Sequence, residues 1–174
     1  MSKNYFSLGL MSGTSGDGVD SSIIQSDGME QFFVKFNRYD PYPSHLSNEI
    51  HRIKEKIQSS SDLIKFANEV KFLEVKLTTF HADVAKEWFN SIHVDIIGFH
   101  GQTIYHNSEE KISKQLGLGK KLSNLTKKTV VYDFRQNDLK NGGEGAPLTP
   151  IFHKMLAEKF NLAQKNISPS TQAT

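Results

Sequence analysis

Residues 9–20 read Gly-Leu-Met-Ser-Gly-Thr-Ser-Gly-Asp-Gly-Val-Asp, a run of glycines, hydroxyls and carboxylates between two apolar stretches. Glycines let backbone N–H groups approach an anion closely, and successive N–H groups form a concave anion site. Ser12, Thr14 and Ser15 add hydroxyl donors, and Asp17 and Asp20 suit a cation or its water shell beside phosphates. No Gly-Lys-Ser/Thr follows four spacer residues, so this is not the strand-loop-helix phosphate loop. Nor is it a dinucleotide fingerprint, because Val19 to Ile24 reads as a strand rather than a helix. The alternative reading is a glycine-rich hairpin turn.

Two further blocks carry candidate chemistry. One is Ile97-Gly98-Phe99-His100-Gly101-Gln102-Thr103-Ile104-Tyr105-His106. His100, Gln102 and Thr103 end an apolar strand-like run, where α/β sheets present ligands. The other runs from Val130-Val131-Tyr132-Asp133-Phe134-Arg135 through Gly142-Gly143-Glu144-Gly145 to Pro150-Ile151-Phe152-His153. The Arg135 guanidinium matches carboxylate geometry. Each residue has a plainer reading: a hydrogen-bonded His100 that fixes the next turn, and an Asp133–Arg135 or Arg135–Asp138 ion pair that shapes the loop. His106 reads as structural or exposed. A metallohydrolase built on His100, His106 and His153 lacks any metal-ligand spacing.

The elements that position these blocks follow from periodicity. Tyr5 to Met11, Val19 to Gln25 and Gln31 to Asn37 read as three strands, with a hairpin turn at Ser26-Asp27-Gly28. Leu46, Ile50, Ile53 and Ile57 recur at helical spacing. Ser59 to Asp62 is a helix start, and the apolar stripe from Leu63 to Trp88 predicts one long amphipathic helix. Val94 to Phe99 and Thr129 to Tyr132 read as buried strands, and a final helix is expected near Ile151 to Phe160. Lys111 to Lys128 is polar and gives no clear pattern. Strands first, then alternating helix and strand, means α/β with a mixed sheet. Residues 161–174 read as a polar tail.

Composition narrows the classes. At 174 residues the chain can bury one core, and a formal net charge of +2 gives no strong field for nucleic acid. Zero cysteines exclude disulfides and thiolate metal sites. No long apolar run suggests a membrane span or secretory signal, which fits a cytoplasmic protein.

In order and spacing the three blocks resemble the anhydro-N-acetylmuramic acid kinases, members of the sugar kinase and actin superfamily. Gln115-Leu116-Gly117 is a weaker fourth echo. The resemblance runs from about Tyr5 to His153. It implies an RNase H-like (actin-like ATPase) lobe whose mixed sheet opens with a three-stranded antiparallel meander, with residues 1–160 as the first of two lobes. It implies use of ATP and Mg2+ to phosphorylate 1,6-anhydro-N-acetylmuramic acid, with hydrolytic opening of the anhydro ring, in cell-wall recycling. By resemblance Gly13, Thr14, Ser15, Gly16, Asp17, Gly18, Val19 and Asp20 hold the phosphates, with Asp17 on the magnesium side. His100, Gln102, Thr103 and Arg135 are sugar-site residues, with Arg135 on the lactyl carboxylate. Family members usually carry Leu where this chain has Gly16, which loosens the loop. Phe99 stands in place of a small residue and so alters the pocket, and Glu144 replaces the more usual Gln and adds negative charge.

The resemblance also implies a longer chain. The family's catalytic base lies in an Asp-Thr-Gly-Pro-Gly-Asn segment that this sequence does not contain. By resemblance the base therefore falls beyond Thr174, and no acid in residues 1–174 is assigned that role. The expectation is a truncated first lobe, with residues 161–174 at the truncation point, that associates as a homodimer or with a chain supplying the second lobe. The competing expectation is an inactive or split-gene fragment that retains only weak nucleotide and sugar binding.

Overall fold

In the computed structural model, which describes residues 4–29 and 31–160, the alternating apolar residues of the first forty positions make an antiparallel meander. Leu8 and Leu10 of β1 (Tyr5–Ser12) and Val19 and Ile23 of β2 (Gly18–Ser26) are buried, while Gly9 and Met11 are exposed. That is the period-2 signature of a strand with one core face. β3 (Phe32–Pro41) pairs antiparallel with β2 and runs four residues past the expected end at Asn37. The expected polar tail, residues 161–174, lies outside the described residues. So does Thr174, the position beyond which the resemblance sets the catalytic base, and the fold therefore does not bear on that expectation.

β4 (Ile96–Asn107) lies parallel to β1, with Leu8 opposite Ile97 and Leu10 opposite Phe99. Its first half also pairs in parallel with β6 (Thr129–Tyr132), and its second half pairs antiparallel with β5 (Ile112–Leu116). The six-stranded mixed sheet has the order β3-β2-β1-β4-β5, with β6 joined to β4. This is the expected α/β lobe. The sequence placed the end of β4 too early, because His100 and Gly101 break the apolar alternation. Gly101 resolves the break: it takes φ +74°, and a Cβ there would sit 2.2 Å from the Leu116 carbonyl oxygen. Only glycine lets the strand bend so close to β5.

The helices are α1 (Ser44–Lys56), α2 (Ser60–Lys65), α3 (Ala67–Phe89), α4 (Gly119–Thr126), α5 (Phe134–Lys140) and α6 (Pro150–Lys159). The single long helix expected from Leu63 is two helices. α2 starts at a capping box between Ser59 and Asp62 and stops after one and a half turns at Phe66, whose backbone (φ −103°, ψ 19°) leaves the helical region. The side chain explains the break: the Phe66 ring packs on the core and lies under the ammonium groups of both Lys56 and Lys65. The unpatterned stretch 111–128 holds β5 and α4, elements too short and too polar to show a period.

Ile50 and Ile53 of α1, Leu73 and Leu77 of α3 and Leu122 of α4 form one buried cluster with the core face of the sheet. The other face is open around β1 and β6, where Met11 is 52% and Val131 44% exposed. α3 also buries a polar stripe at helical spacing, Glu74, Thr78 and His81. Glu74 accepts from Lys114 Nζ (2.6 Å) and the Gly117 amide (3.3 Å), and Thr78 accepts from the Leu118 amide (3.0 Å). These bonds pin the β5–α4 connection to the core. Among the described residues no helix is long and apolar enough to cross a membrane.

Candidate functional site

β1, β4 and β6 are adjacent and parallel, so their carboxyl ends lie along one edge of the sheet. The loop Gly13–Asp17 follows β1, His100 to Thr103 lie where β4 leaves its parallel pairing, and Asp133 to Arg135 follow β6. Three blocks far apart in sequence thus meet where open α/β sheets place ligands.

The β1–β2 loop is a tight turn closed by the Gly16 amide on the Gly13 carbonyl (3.2 Å), with Thr14 and Ser15 exposed at its tip. Its carbonyls are held from four directions. Gly13 O accepts from Gln102 Nε2 (2.7 Å), Thr14 O from Lys54 Nζ, Gly16 O from Ser47 Oγ (2.9 Å), and Asp17 O from the Tyr42 amide (2.8 Å). In a planar trans peptide the next residue's N–H points opposite to the carbonyl. Holding the carbonyls of Gly13, Thr14 and Gly16 therefore turns the amides of Thr14, Ser15 and Asp17 away from those partners, and the Asp17 amide also bonds its own carboxylate. This is the polarity an anion requires.

Gly16 holds φ +71°, and a Cβ there would lie 2.9 Å from Ile50 Cγ2. The expected loosening by this glycine is not what its surroundings impose: its amide and carbonyl are both bonded, and α1 leaves no room for a side chain. Gly18 begins β2, Val19 is fully buried in the core, and Asp20 is exposed opposite Tyr39. The turn itself is thus Gly13–Asp17. Asp17 is exposed, and the hydroxyl of Ser15 (2.6 Å) holds its carboxyl below the usual range, so it is ionised at neutral pH. One exposed carboxylate beside a turn of anion-compatible polarity has the chemistry that suits Mg2+, which keeps most of its waters and takes few protein ligands. Among the described residues no three His, Asp or Glu side chains cluster into a metal site of their own.

Beneath the turn lies a buried polar chain. Ser12 Oγ contacts Tyr42 Oη (2.6 Å) and His81 Nε2 (3.0 Å), and His81 Nδ1 lies 2.8 Å from the Leu77 carbonyl. A carbonyl only accepts, so Nδ1 carries the proton, Nε2 accepts from Ser12, and Tyr42 donates to Ser12. Complete burial lowers the His81 pKa to about 4, and the ring is neutral.

His100 is the extra residue in β4 at the point where Leu10 pairs with Phe99 but Met11 pairs with Gly101. This bulge re-aims its side chain. Nδ1 lies 2.8 Å from the Gly101 carbonyl, and Nε2 faces Arg135 Nε (3.1 Å) and Nη2 (2.9 Å). Guanidinium only donates, so His100 is the neutral Nδ1–H tautomer. Burial, with the Arg135 charge in support, lowers its pKa. Arg135 Nη1 donates to the Gly145 carbonyl (2.6 Å). Among the described residues neither expected Arg135 ion pair forms; Arg135 bonds His100 and Gly145, and Asp138 instead accepts from the Gly145 amide (2.7 Å). His100, Arg135 and the 142–145 glycine loop are one bonded unit.

Gln102 is fully buried and its amide is spent on Gly13 and on the Thr103 carbonyl (3.2 Å), leaving Oε1 buried without a partner. It stands behind the Gly13–Asp17 turn. Thr103 turns toward β5, where its hydroxyl accepts from Gln115 Nε2 (3.3 Å). Phe99 does not reshape a pocket: it is 2% exposed, its ring packs edge-on against His81, and Gly117 makes room for it. Glu144 and His106 are exposed, the latter bonded to Ser113 (3.0 Å).

Sequence reasoning missed Tyr42, Ser47, Lys54 and His81. Ser47, His51 and Lys54 stand at i, i+4 and i+7 on α1, beside the apolar stripe of Leu46, Ile50 and Ile53. A polar stripe flanking an apolar one was the available signal.

A family model for anhydro-N-acetylmuramic acid kinase matches residues 5–168. A curated relative from Pelagibacter ubique, named anhydro-N-acetylmuramic acid kinase, is 52% identical over 158 residues, covering 90% of this chain and 42% of its own length. Relatives of the same name from Gluconobacter oxydans and Rhizobium etli are 40% and 37% identical, covering 87% and 90% of this chain and 42% and 44% of their own lengths. The chain thus spans about two-fifths of the length of the relatives it matches.

Proposed function

The chain belongs to the anhydro-N-acetylmuramic acid kinase family, and from that we propose that residues 1–160 act as the first lobe of a cytoplasmic sugar kinase. The whole enzyme transfers a phosphoryl group from ATP to 1,6-anhydro-N-acetylmuramic acid and opens the anhydro ring with water, in cell-wall recycling. The observation that supports the reading is the convergence of the phosphate turn, His100 and Arg135 at the carboxyl ends of three neighbouring parallel strands.

Phosphoryl transfer asks the protein for position and charge rather than covalent chemistry. The outward amides of Thr14, Ser15 and Asp17 hold the terminal phosphoryl oxygens. When bound, Mg2+ neutralises charge between phosphates, and Asp17 is the carboxylate on its side. Arg135 has five N–H donors, of which three are engaged with His100 and Gly145, leaving two for the lactyl carboxylate of the sugar. His100, neutral and fixed, aims that fork.

For residues 1–174 taken alone the reading is binding without turnover. Of the acids at the site, Asp17 is held by Ser15 and Asp138 is spent on Gly145, and the family's base segment is not in the sequence up to Thr174. Turnover then needs the second lobe. Calorimetry with AMP-PNP·Mg2+ and with the anhydro sugar, beside a coupled ADP-release assay, tests this. Binding of either ligand without ADP release is the expected result. Failure to bind both would sink the proposal.

A further inference from the structure

The loop that faces the phosphates is gripped from behind by a helix outside the three sequence blocks. Ser47 and Lys54 stand seven residues apart on α1, and both reach carbonyls of the turn: Ser47 Oγ donates to Gly16 O and Lys54 Nζ to Thr14 O. Between them, Ile50 and His51 lie against Gly16. These four positions are one face of the helix. Among the described residues Lys54 makes no ion pair, whereas its neighbour Lys56 is engaged by Glu69 (3.0 Å). The Lys54 ammonium is committed to a backbone carbonyl at the tip of an anion-facing turn.

We propose that Ser47 and Lys54 are positioning residues for nucleotide phosphate, each fixing the one peptide plane whose N–H must face the ligand. Lys54 holds the Thr14 carbonyl and so aims the Ser15 amide. Ser47 holds the Gly16 carbonyl and so aims the Asp17 amide. A carbonyl left loose in a glycine-rich turn can rotate toward the ligand and present a partial negative charge to an anion. The two anchors prevent that rotation. The inference rests on the reading of this turn as a triphosphate site.

The test uses the 174-residue chain, with inorganic tripolyphosphate and AMP-PNP·Mg2+ as probes, and reads backbone amide resonances alongside affinity. Both probes are expected to move the Ser15 and Asp17 amides of the parent. Lys54→Met abolishes the shift at Ser15 and keeps that at Asp17, Ser47→Ala does the reverse, and each weakens AMP-PNP about tenfold, the worth of one hydrogen bond. Lys54→Arg and Ser47→Thr restore both readouts. A general loss of structure would move both amides together, and circular dichroism of each variant identifies it; such a result overturns a role confined to phosphate positioning. Parent-like affinity and amide shifts in Lys54→Met and Ser47→Ala also overturn it, while leaving the kinase reading intact. A parent that binds neither probe overturns the kinase reading and this inference with it.

Discussion

Gln102 Nε2 donates to the Gly13 carbonyl at 2.7 Å, tying the middle of β4 to the first residue of the Gly13–Asp17 turn across 89 positions of sequence. The same side chain keeps Oε1 buried and unpartnered. One amide therefore combines a tether with an unsatisfied acceptor.

Gln102→Leu should separate stability from binding. Losing the tether costs about 1 kcal/mol, and removing a buried unsatisfied acceptor returns about as much. Urea unfolding is expected to shift by less than ~1 kcal/mol, while AMP-PNP affinity falls about tenfold because the Gly13 carbonyl keeps only the Gly16 amide and loses its anchor to β4. A large loss of stability with unchanged affinity would refute the tether.

The neutral His81 makes stability depend on acid. Its pKa falls from the ordinary 6.5 to about 4 on folding, so the unfolded chain takes up the proton first as pH drops. Stability from this group is complete above pH 6.5, declines through the interval between 6.5 and 4, and levels off below it. The loss is about 3 kcal/mol. Urea midpoints measured from about pH 7.5 to about pH 4.5 should show this slope in the parent and a shallower one in His81→Leu, where the depressed His100 pKa still contributes.

Arg135→Met should free His100 to titrate. Burial is the larger cause of the depressed His100 pKa and Arg135 the smaller charge contribution, so the variant's pKa rises without reaching that of a solvated imidazole. A proton NMR titration of the His100 ring follows this directly. Sugar binding is expected to be lost in the same variant, and Arg135→Lys should not rescue it, because an ammonium cannot reproduce the planar fork.

Gly16→Leu places a side chain at φ +71° against Ile50. The left-handed backbone alone costs about 1–2 kcal/mol, with overpacking against α1 added. Urea unfolding measures that cost, and weaker AMP-PNP binding should accompany it. A variant as stable as the parent would show that the turn accepts another backbone conformation.

Sequence periodicity carried the meander, α1 and the sheet class, because each of those elements shows one face to a core and one to water. It could not carry the break at Phe66, where an apolar residue in a helical pattern ends the helix by docking its ring inward under two lysines. β5 and α5 were invisible for a different reason: five and seven residues are too few to establish a period. At the site, the glycine turn and Arg135 were legible as residue types. Their partners were not, since Lys54 on Thr14 and His81 on Ser12 are meetings across 40 and 69 residues that no local pattern encodes.

The bend at Gly101 has a thermodynamic consequence. It sets His100, which steadies the proposed carboxylate fork, and Gln102, which steadies the proposed phosphate turn, on either side of one glycine. Two guests that lean on a shared hinge exchange influence in equal measure. Whatever factor occupancy of the proposed sugar site lends to nucleotide affinity, occupancy of the proposed nucleotide site must lend to the sugar, regardless of which arrives first.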